Sequence, residues 1–285
     1  SHNVVCIDHG KNFSKLENKF PNVKFVMGDC TDQKLLCQYA KNCEFIFYTL
    51  DLGGVMDCII NPKKYEKINL SDFKIILDIL NKFDSNLFLF SSSFVYADFL
   101  NVSEDFLPNP KTYYGELRLQ QEKILENSNV NYIILRLPNI FGYGPILDVG
   151  NLGIIEKFIQ LSFLTKKICL HGSGMQKLDC LHLDDLMNLL KKIMINSLPC
   201  KIFNVSTQKT YTVFEIAKII KEIIFKKFDL EIELSFIDKF TVMPNSPIMS
   251  SEKISKYYDW KPNITNLSKK IEEMMNIYSK HIRQI

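Results

Sequence analysis

Short apolar runs rich in β-branched and aromatic residues recur along the first half of the chain. They fall at residues 3–7, 23–27, 44–48, 86–91 and 132–136. Stretches with the apolar spacing of helices lie between them, at residues 33–41, 69–83 and 112–127. Continuous apolar strands that alternate with helices are typical of a parallel sheet covered on both faces. The pattern therefore predicts an α/β fold with a doubly wound, Rossmann-like parallel sheet.

The pattern changes after Pro138, where shorter strands are mixed with several helices. Strands are predicted near residues 168–170 and 201–205, and a last helix at 267–278. A capping box, Thr212-Val-Phe-Glu215, predicts the start of one helix, and Asp184 is expected to be the N-cap of another. We expect residues 1–140 to form the Rossmann-like domain. Residues 141–285 are then mainly a smaller C-terminal substrate-binding portion, with some segments returning to the sheet.

Composition narrows the class of protein. The 285 residues are 46% hydrophobic and 24% charged, with a net charge of +3, which is ordinary for a globular chain. The 35 basic residues are balanced by 32 acidic ones, so a dedicated nucleic-acid-binding face is not expected. No apolar run reaches the ~18–20 residues that span a bilayer, and we recognise no signal peptide. We therefore expect neither a nucleic acid nor a membrane as partner.

The cysteines add an expectation about compartment and metal. The eight cysteines form no C-x-x-C pair and show no zinc-ligand spacing, so no metal site is predicted. Most of them sit inside apolar runs, where free cysteine behaves as a small hydrophobic residue. We expect reduced core cysteines in a cytoplasmic protein.

The residues with the clearest chemistry follow the fourth apolar run, which ends in Ser91-Ser92-Ser93. Residues just past the carboxyl end of a parallel strand line the ligand crevice of such a sheet. Further along, Tyr114 and Arg118 are four residues apart on a predicted helix, and so lie on one face of it. We therefore expect a serine hydroxyl, a phenol and a guanidinium to meet at this crevice.

This set of side chains suits the oxidation of a hydroxyl group. Oxidation needs a base that takes the hydroxyl proton while hydride leaves. A tyrosine with its ordinary pKa of ~10 is mostly protonated at neutral pH, and a fixed cation beside it favours the phenolate. A serine hydroxyl can then bridge the substrate oxygen and Tyr114. Because Tyr, Ser and Arg are common residues, the order of the two segments, more than either alone, favours catalysis over packing.

The two segments resemble the extended short-chain dehydrogenase/reductase family, in its NAD-dependent epimerase/dehydratase group. In that family a strand ending in Ser-Ser/Thr-x-x-Val-Tyr-Gly precedes a helix that carries Tyr-x-x-x-Lys. Matching Val95-Tyr96 to this pattern implies Ser92 as the catalytic hydroxyl, with Ser93 as the near alternative. Tyr114 matches the catalytic tyrosine, and Arg118 stands at the lysine that tunes it and orients the nicotinamide ribose. The resemblance implies an NAD-dependent enzyme acting on a nucleotide sugar, most like a 4-epimerase.

Other segments resemble the family in the same order, over nearly the whole chain. Residues 4–8 resemble the second family strand, whose terminal acid binds the adenosine ribose, and residues 26–30 resemble the motif that contacts adenine. Residues 135–142 resemble the stretch beside the sugar nucleotide, and residues 172–185 a later family block. The resemblance implies a homodimer built on the helices at 69–83 and 112–127. It implies NAD binding by Asp8, Asp29, Cys30, Asn69, Tyr114 and Arg118, and substrate binding by Ser93 and Asn139.

Four features depart from the family pattern. The family opens with a buried strand and a Gly-x-x-Gly-x-x-Gly loop that holds the pyrophosphate, and neither precedes Val4. Because the chain also starts with Ser1 rather than Met, we expect a truncated chain that lacks the central strand, with two inner strands left unpaired on one edge. Arg118 stands where the family has a lysine. Asp51 stands where the family has small residues against the cofactor, and Leu178 stands where a family arginine binds the nucleotide diphosphate.

These departures keep a second hypothesis open, that of a catalytically degraded or truncated relative that is not an enzyme. A third hypothesis is an NADPH-dependent reductase of the same fold. Asp8 disfavours it, because an acid beside the ribose repels a 2′-phosphate. Within the leading hypothesis, epimerase, dehydratase, decarboxylase and reductase all remain compatible with these segments.

Overall fold

Strands and helices alternate through most of the chain, as the apolar pattern predicts. The structure is a computed structural model that describes residues 2–9, 13–17, 19–50, 54–97, 101–142, 152–196, 201–237, 245–263 and 266–282. Its strands are Val4–Asp8 (β1), Val23–Met27 (β2), Phe45–Tyr48 (β3), Asn86–Ser92 (β4), Asn131–Leu137 (β5), Asn139–Phe141 (β6), Lys167–His171 (β7), Lys177–His182 (β8), Lys201–Asn204 (β9), Thr210–Thr212 (β10) and Glu233–Ile237 (β11). Its α-helices are Phe13–Glu17 (α1), Gln33–Ala40 (α2), Val55–Ile60 (α3), Pro62–Glu66 (α4), Phe73–Leu80 (α5), Tyr113–Glu126 (α6), Ile154–Thr165 (α7), Leu183–Met194 (α8), Val213–Phe228 (α9), Glu252–Tyr258 (α10) and Leu267–Ile282 (α11).

Parallel pairing organises the first half. Strand β4 lies inside a four-stranded parallel sheet of order β3-β4-β5-β9. Strands β1 and β2 form a second parallel sheet. The predicted α/β fold with parallel sheets is therefore confirmed.

One edge of β1, one of β2 and one of β3 have no ladder partner among the described residues. Among the described residues, β1 pairs with β2 alone and β3 pairs with β4 alone. The pair of unpaired inner edges expected from the sequence is thus observed on β1 and β3.

The apolar run of β4 is continuous instead of alternating because the strand is buried on both faces. Leu87, Phe88 and Leu89 are all 0% exposed. Leu87 and Leu89 pack with residues of α2 and α5 on one face, and Phe88 packs with residues of α8 and α10 on the other. Full burial of each such side chain is worth about 1.5–3 kcal/mol. The carboxyl end of this strand is accordingly anchored in the centre of the fold.

The second half builds its own apolar cluster and also returns to the sheet. One cluster contains residues of α7, β7, β8, α9 and α11 and no residue before Phe141. A different cluster joins Leu186 of α8, Phe203 of β9 and Ile254 of α10 to Phe88 of the parallel sheet. Among the described residues, no helix is both long enough and apolar enough to cross a membrane.

Two details of the predicted elements need correction. The stretch expected to be one helix from residue 69 begins as a π-helical segment, Lys67–Asp72, and continues as α5. The prediction that Asp184 caps its helix is wrong. Strand β8 runs on to His182, and the Nδ1 atom of His182 accepts a hydrogen bond from the backbone N–H of Asp184 at 3.1 Å, so the imidazole is the N-cap of α8.

Candidate active site

The three serines at the end of β4 have three different environments. The hydroxyl of Ser91 donates to Glu122 Oε1 at 2.5 Å. The hydroxyl of Ser93 lies 3.4 Å from that of Ser246. Ser92 begins a 3₁₀ turn at residues Ser93–Val95, and its Oγ accepts from the backbone N–H of Phe94 at 3.2 Å. Ser92 therefore keeps its own hydroxyl hydrogen available for donation.

Helix α6 brings Tyr114 to this strand end because of the residue that follows the tyrosine. The side chain of Thr112 caps the helix by accepting from the backbone N–H of Gly115 at 3.0 Å. A Cβ atom at Gly115 would overlap the carbonyl oxygen of Phe94, so the helix can approach the 3₁₀ turn this closely only with glycine there. The rings of Phe94 and Tyr114 consequently meet edge to face, with centroids 6.2 Å apart.

Arg118 lies one helical turn after Tyr114 and is buried, with 1% of its surface exposed. Its Cζ atom is 5.2 Å from the centroid of the Tyr114 ring, within the range of a cation–π interaction. Its Nη1 atom donates to Gln121 Oε1 at 2.8 Å. The expected meeting of phenol and guanidinium on one helix face is observed.

A cavity of about 260 Å³ opens at the carboxyl ends of β3, β4 and β5. Ser92 and Tyr114 both line it, whereas Ser93, Arg118 and Asn139 are not among its lining residues. Its remaining lining residues are Tyr48, Thr49, Phe90, Ser91, Leu137, Pro138 and Ile140. The arrangement places a hydroxyl and a phenol at the edge of one cavity, as a ligand-binding crevice requires.

The residues expected at the adenosine lie together at the ends of β1 and β2. Asp8 ends β1, and its carbonyl oxygen accepts from the backbone N–H of Gly28 at 2.9 Å. Asp29 Oδ1 accepts from the backbone N–H and the hydroxyl of Thr31, and these hydrogen bonds lower the pKa of the Asp29 carboxyl. Burial raises the pKa of the Cys30 thiol to about 11, so this side chain is a neutral contact.

Asn69 lies inside the π-helical segment and is 1% exposed. Its Nδ2 atom donates to the carbonyl oxygen of Tyr65 at 2.9 Å, while its buried Oδ1 atom has no hydrogen bond within the part of the chain that the structure describes. Single π-helical segments occur often at functional sites. A buried acceptor left open in this way suits a ligand that brings a donor.

On the substrate side, Asn139 Nδ2 donates to the carbonyl oxygen of Asp179 at 3.2 Å, which ties β6 to β8. Leu178 is buried with 7% exposure, and Lys177 beside it is exposed on the opposite face of the strand. Asp51 lies outside the described residues.

The sequence did not lead us to predict a buried polar network formed by Tyr96, Glu122, Arg136 and Asn204. Arg136 forms an ion pair with Glu122, with 2.7 Å between Nη2 and Oε2, and donates from Nη1 to the Tyr96 hydroxyl at 2.5 Å. The Tyr96 hydroxyl donates to Asn204 Oδ1 at 3.1 Å, and burial raises the pKa of Tyr96. An arginine inside the apolar run at 132–136 was the available signal, since a buried charge requires a partner.

Fold and site together define the class: a Rossmann-like α/β protein with a serine and a tyrosine at the carboxyl end of its parallel sheet. The model of the NAD dependent epimerase/dehydratase family matches residues 1–206. The chain belongs to this family.

Known relatives agree at low identity. The chain is 25% identical over 268 residues to the dTDP-D-glucose 4,6-dehydratase of Mus musculus, a match that covers 89% of this chain and 73% of the relative. It is 27% identical over 231 residues to a putative UDP-glucose 4-epimerase of Methanocaldococcus jannaschii, covering 78% of this chain and 74% of the relative. The solved UDP-glucose 4-epimerase of Thermotoga maritima shares its fold with a TM-score of 0.86 at 20% identity, over 99% of this chain and 92% of that one.

NAD is the cofactor of this family, and the described residues fit its adenosine end. The carboxylates of Asp8 and Asp29 lie at neighbouring strand ends, where ribose hydroxyls and adenine can meet them. The open Oδ1 atom of Asn69 can accept from a hydrogen-bond donor on a ligand. The sequence contains no Gly-x-x-Gly-x-x-Gly motif. None of the residues named here is therefore assigned to the pyrophosphate of NAD.

Proposed function

We propose that the chain is an NAD-dependent enzyme that remodels the sugar of a nucleotide sugar, most like a 4-epimerase. The observation that carries the proposal is the convergence of Ser92 and Tyr114 on one cavity, with the Arg118 guanidinium against the Tyr114 ring. A tyrosine that only lies at the surface, or a serine that only packs in the core, would have no reason to line the same cavity.

Each of the three residues has a distinct role in the proposed reaction. Tyr114 takes the proton from the C4 hydroxyl of the sugar and returns it in the reverse step. Ser92 donates its hydroxyl hydrogen to the substrate oxygen and holds that oxygen beside Tyr114. Arg118 supplies a fixed positive charge that favours the phenolate and orients the nicotinamide ribose. Bound NAD would supply reversible hydride acceptance at the C4 carbon of the sugar.

The residues of the cofactor and substrate sides complete the proposal. Asp8 binds the adenosine ribose, Asp29 and Cys30 contact the adenine, and Asn69 binds the cofactor at its cleft. Ser93 and Asn139 serve the substrate, with Asn139 placed beside the cavity by its neighbours Pro138 and Ile140.

The first experiment measures the cofactor directly. The purified chain is denatured and the supernatant is assayed for released NAD, before and after incubation with added NAD. We expect near-stoichiometric release, followed by conversion of UDP-glucose, UDP-galactose or dTDP-glucose in a product assay. Failure to release or take up NAD would contradict the proposal.

A second candidate, a degraded relative without catalysis, is favoured by two observations. Arg118 stands at the position of the family lysine, and the buried Leu178 stands where a family arginine binds the diphosphate. The variant Arg118→Lys distinguishes the two candidates. Turnover that appears only in this variant would identify the natural site as degraded.

We further propose a homodimer formed by α5 and α6. Their outward positions carry side chains of both signs, including Lys74, Asp78, Glu116 and Lys123, which can pair across a two-fold axis. Sedimentation velocity tests the proposal, and a monomer at all concentrations would contradict it.

A further inference from the structure

Gln121 occupies a buried position on α6 whose neighbours on the same helix face are apolar. On α6 it lies four residues after Leu117 and four before Leu125, and both leucines are buried at 1% and 0% exposure. Gln121 itself is 0% exposed. Residues spaced by four on a helix share one face, so the amide interrupts an apolar stripe.

The stability of the fold does not account for this glutamine. Burying an amide is unfavourable unless all its hydrogen-bonding atoms find partners. The Nε2 atom of Gln121 makes no hydrogen bond within the described residues. Its Oε1 atom accepts from Arg118 Nη1 at 2.8 Å. What the amide contributes is therefore its contact with the guanidinium.

That contact determines where the charge of Arg118 lies. A guanidinium is planar and sits at the end of a long, flexible side chain, so its orientation has to be fixed by its hydrogen-bond partners. Gln121 holds one end of it while Cζ remains 5.2 Å from the Tyr114 ring centroid. A lysine would present a compact point charge and would need no such support.

We propose that Gln121 is a positioning residue that fixes the guanidinium of Arg118 over Tyr114, and so allows an arginine to work at this position. The catalytic part of this inference rests on the proposed function, whereas the positioning part concerns the side chains alone. Gln121 acts through Arg118 and does not contact the reacting atoms.

The positioning part can be tested without turnover. The chain contains three arginines, Arg118, Arg136 and Arg283, so arginine-selective ¹⁵N labelling gives three side-chain Nε signals. The signal lost in Arg118→Lys is that of Arg118. We expect Gln121→Met, which removes the acceptor at nearly constant length, to shift and broaden this signal. Gln121→Glu, which keeps an oxygen there, leaves it sharp.

The neighbouring exposed residue Gln120 provides the matched control. Gln120→Met should leave the Arg118 signal in place, and the Arg136 signal, held by Glu122, should stay unchanged in every variant. An Arg118 signal that is the same in Gln121→Met and in the unmodified chain would overturn the proposal.

The catalytic part is tested by a double-mutant comparison in the NAD-loaded enzyme. We expect Gln121→Met to lower kcat about tenfold, the loss typical of a hydrogen bond to a charged group, with KM nearly unchanged. The acidic limb of the pH–rate profile should move to higher pH, because the cation no longer lies over the phenol. In the Arg118→Lys background the same substitution should have no further effect.

The outcomes separate this inference from the proposed function. An equal loss of kcat in both backgrounds would mean that Gln121 acts by packing, and would overturn the inference. If the unmodified chain converts no nucleotide sugar, the proposed function fails. The ¹⁵N spectra would still decide whether Gln121 positions Arg118.

Discussion

The position of the Tyr114 side chain depends on its neighbour Gly115, which has no side chain. Gly115 lets α6 touch the turn that follows β4, so the phenol reaches the strand end where Ser92 lies. The close approach of the helix start to the turn after β4 explains why Ser92 and Tyr114 line the same cavity.

The phenol itself gives the sharpest prediction at this scale. Tyr114→Phe removes the hydroxyl that exchanges the proton and keeps the ring that contacts Phe94 and Arg118. We expect kcat for nucleotide-sugar conversion to fall by about 10²–10⁴-fold, which is the usual contribution of a general acid–base group. The amount of NAD released on denaturation should not change.

The adjacent Tyr113 is the matched control, since it lies on the same helix and packs against the same apolar cluster but does not line the cavity. Tyr113→Phe should retain activity. A Tyr114→Phe enzyme that keeps most of its kcat would remove Tyr114 from the mechanism.

Residues with local signals were predicted from the sequence, and residues with distant partners were not. Ser92, Tyr114 and Arg118 stand in short motifs whose spacing is visible in the chain itself. Gln121 and Glu122 look like ordinary surface residues of a helix, because nothing nearby in sequence shows that the helix is buried on that side. Their surroundings follow from packing against β4 and β5.

At the scale of elements, the buried pair Glu122–Arg136 joins α6 to β5, and Ser91 extends it to β4. Glu122 is 1% exposed and Arg136 is 3% exposed. The pair fixes the helix that carries Tyr114 relative to the strand that carries Ser92. It therefore couples the stability of the fold to the geometry of the site.

Removing the charge of Glu122 should destabilise the fold. Glu122→Gln leaves the guanidinium of Arg136 buried without a counter-charge, which typically costs about 3–5 kcal/mol. Urea unfolding measures the loss. The exposed Glu126, one turn further on α6, is the control, and Glu126→Gln should change stability by less than about 0.5 kcal/mol.

A double replacement by apolar residues checks this interpretation. Glu122→Leu combined with Arg136→Met should cost less than the sum of the two single changes, because neither partner remains as an uncompensated charge. Strict additivity would indicate that the two side chains do not interact.

The imidazole cap of α8 predicts a pH dependence of stability. Burial lowers the pKa of His182, although Asp184 opposes the shift, and the cap requires a neutral Nδ1. On acidification, the unfolded chain therefore binds the proton first, near pH ~6.5. The free energy of unfolding should fall as the pH decreases from ~6.5 towards the lower folded-state pKa.

His182→Asn should flatten this dependence, because asparagine caps a helix without titrating. His171→Asn, at an exposed position on β7, is the control and should leave the slope unchanged. Unfolding free energies measured from pH 5 to pH 8 compare the variants. An unaltered slope in His182→Asn would show that His182 does not cause it.

At the scale of the whole molecule, the periodic pattern predicted the parallel α/β layers well. Strand β4 is the clearest case, because its continuous apolar run matches the full burial of Leu87, Phe88 and Leu89. The π-helical segment around Asn69 was not predictable, because its sequence has the same apolar spacing as an α-helix. The cap at His182 was missed for a related reason, since the end of β8 depends on pairing with β6.

The division of the parallel strands into two sheets has a measurable consequence. In a parallel ladder, successive backbone N–H groups point to opposite sides of the strand, and only those facing a partner strand are bonded in the ladder. Strand β4 has partners on both sides, whereas β1 and β3 each have one partner among the described residues. About half of the amides of β1 and β3 should therefore exchange with solvent much faster than those of β4.

Hydrogen–deuterium exchange read by mass spectrometry tests this on the chain as it stands. Peptides that cover Asn86–Ser92 and Asn131–Leu137 serve as the protected reference, and those covering Val4–Asp8 and Phe45–Tyr48 are compared with them. Val4 is 46% exposed and Phe47 is 37% exposed, which agrees with edges open to solvent. Equal protection of all four peptides would mean that another strand covers both edges in solution, as unpaired strand edges favour.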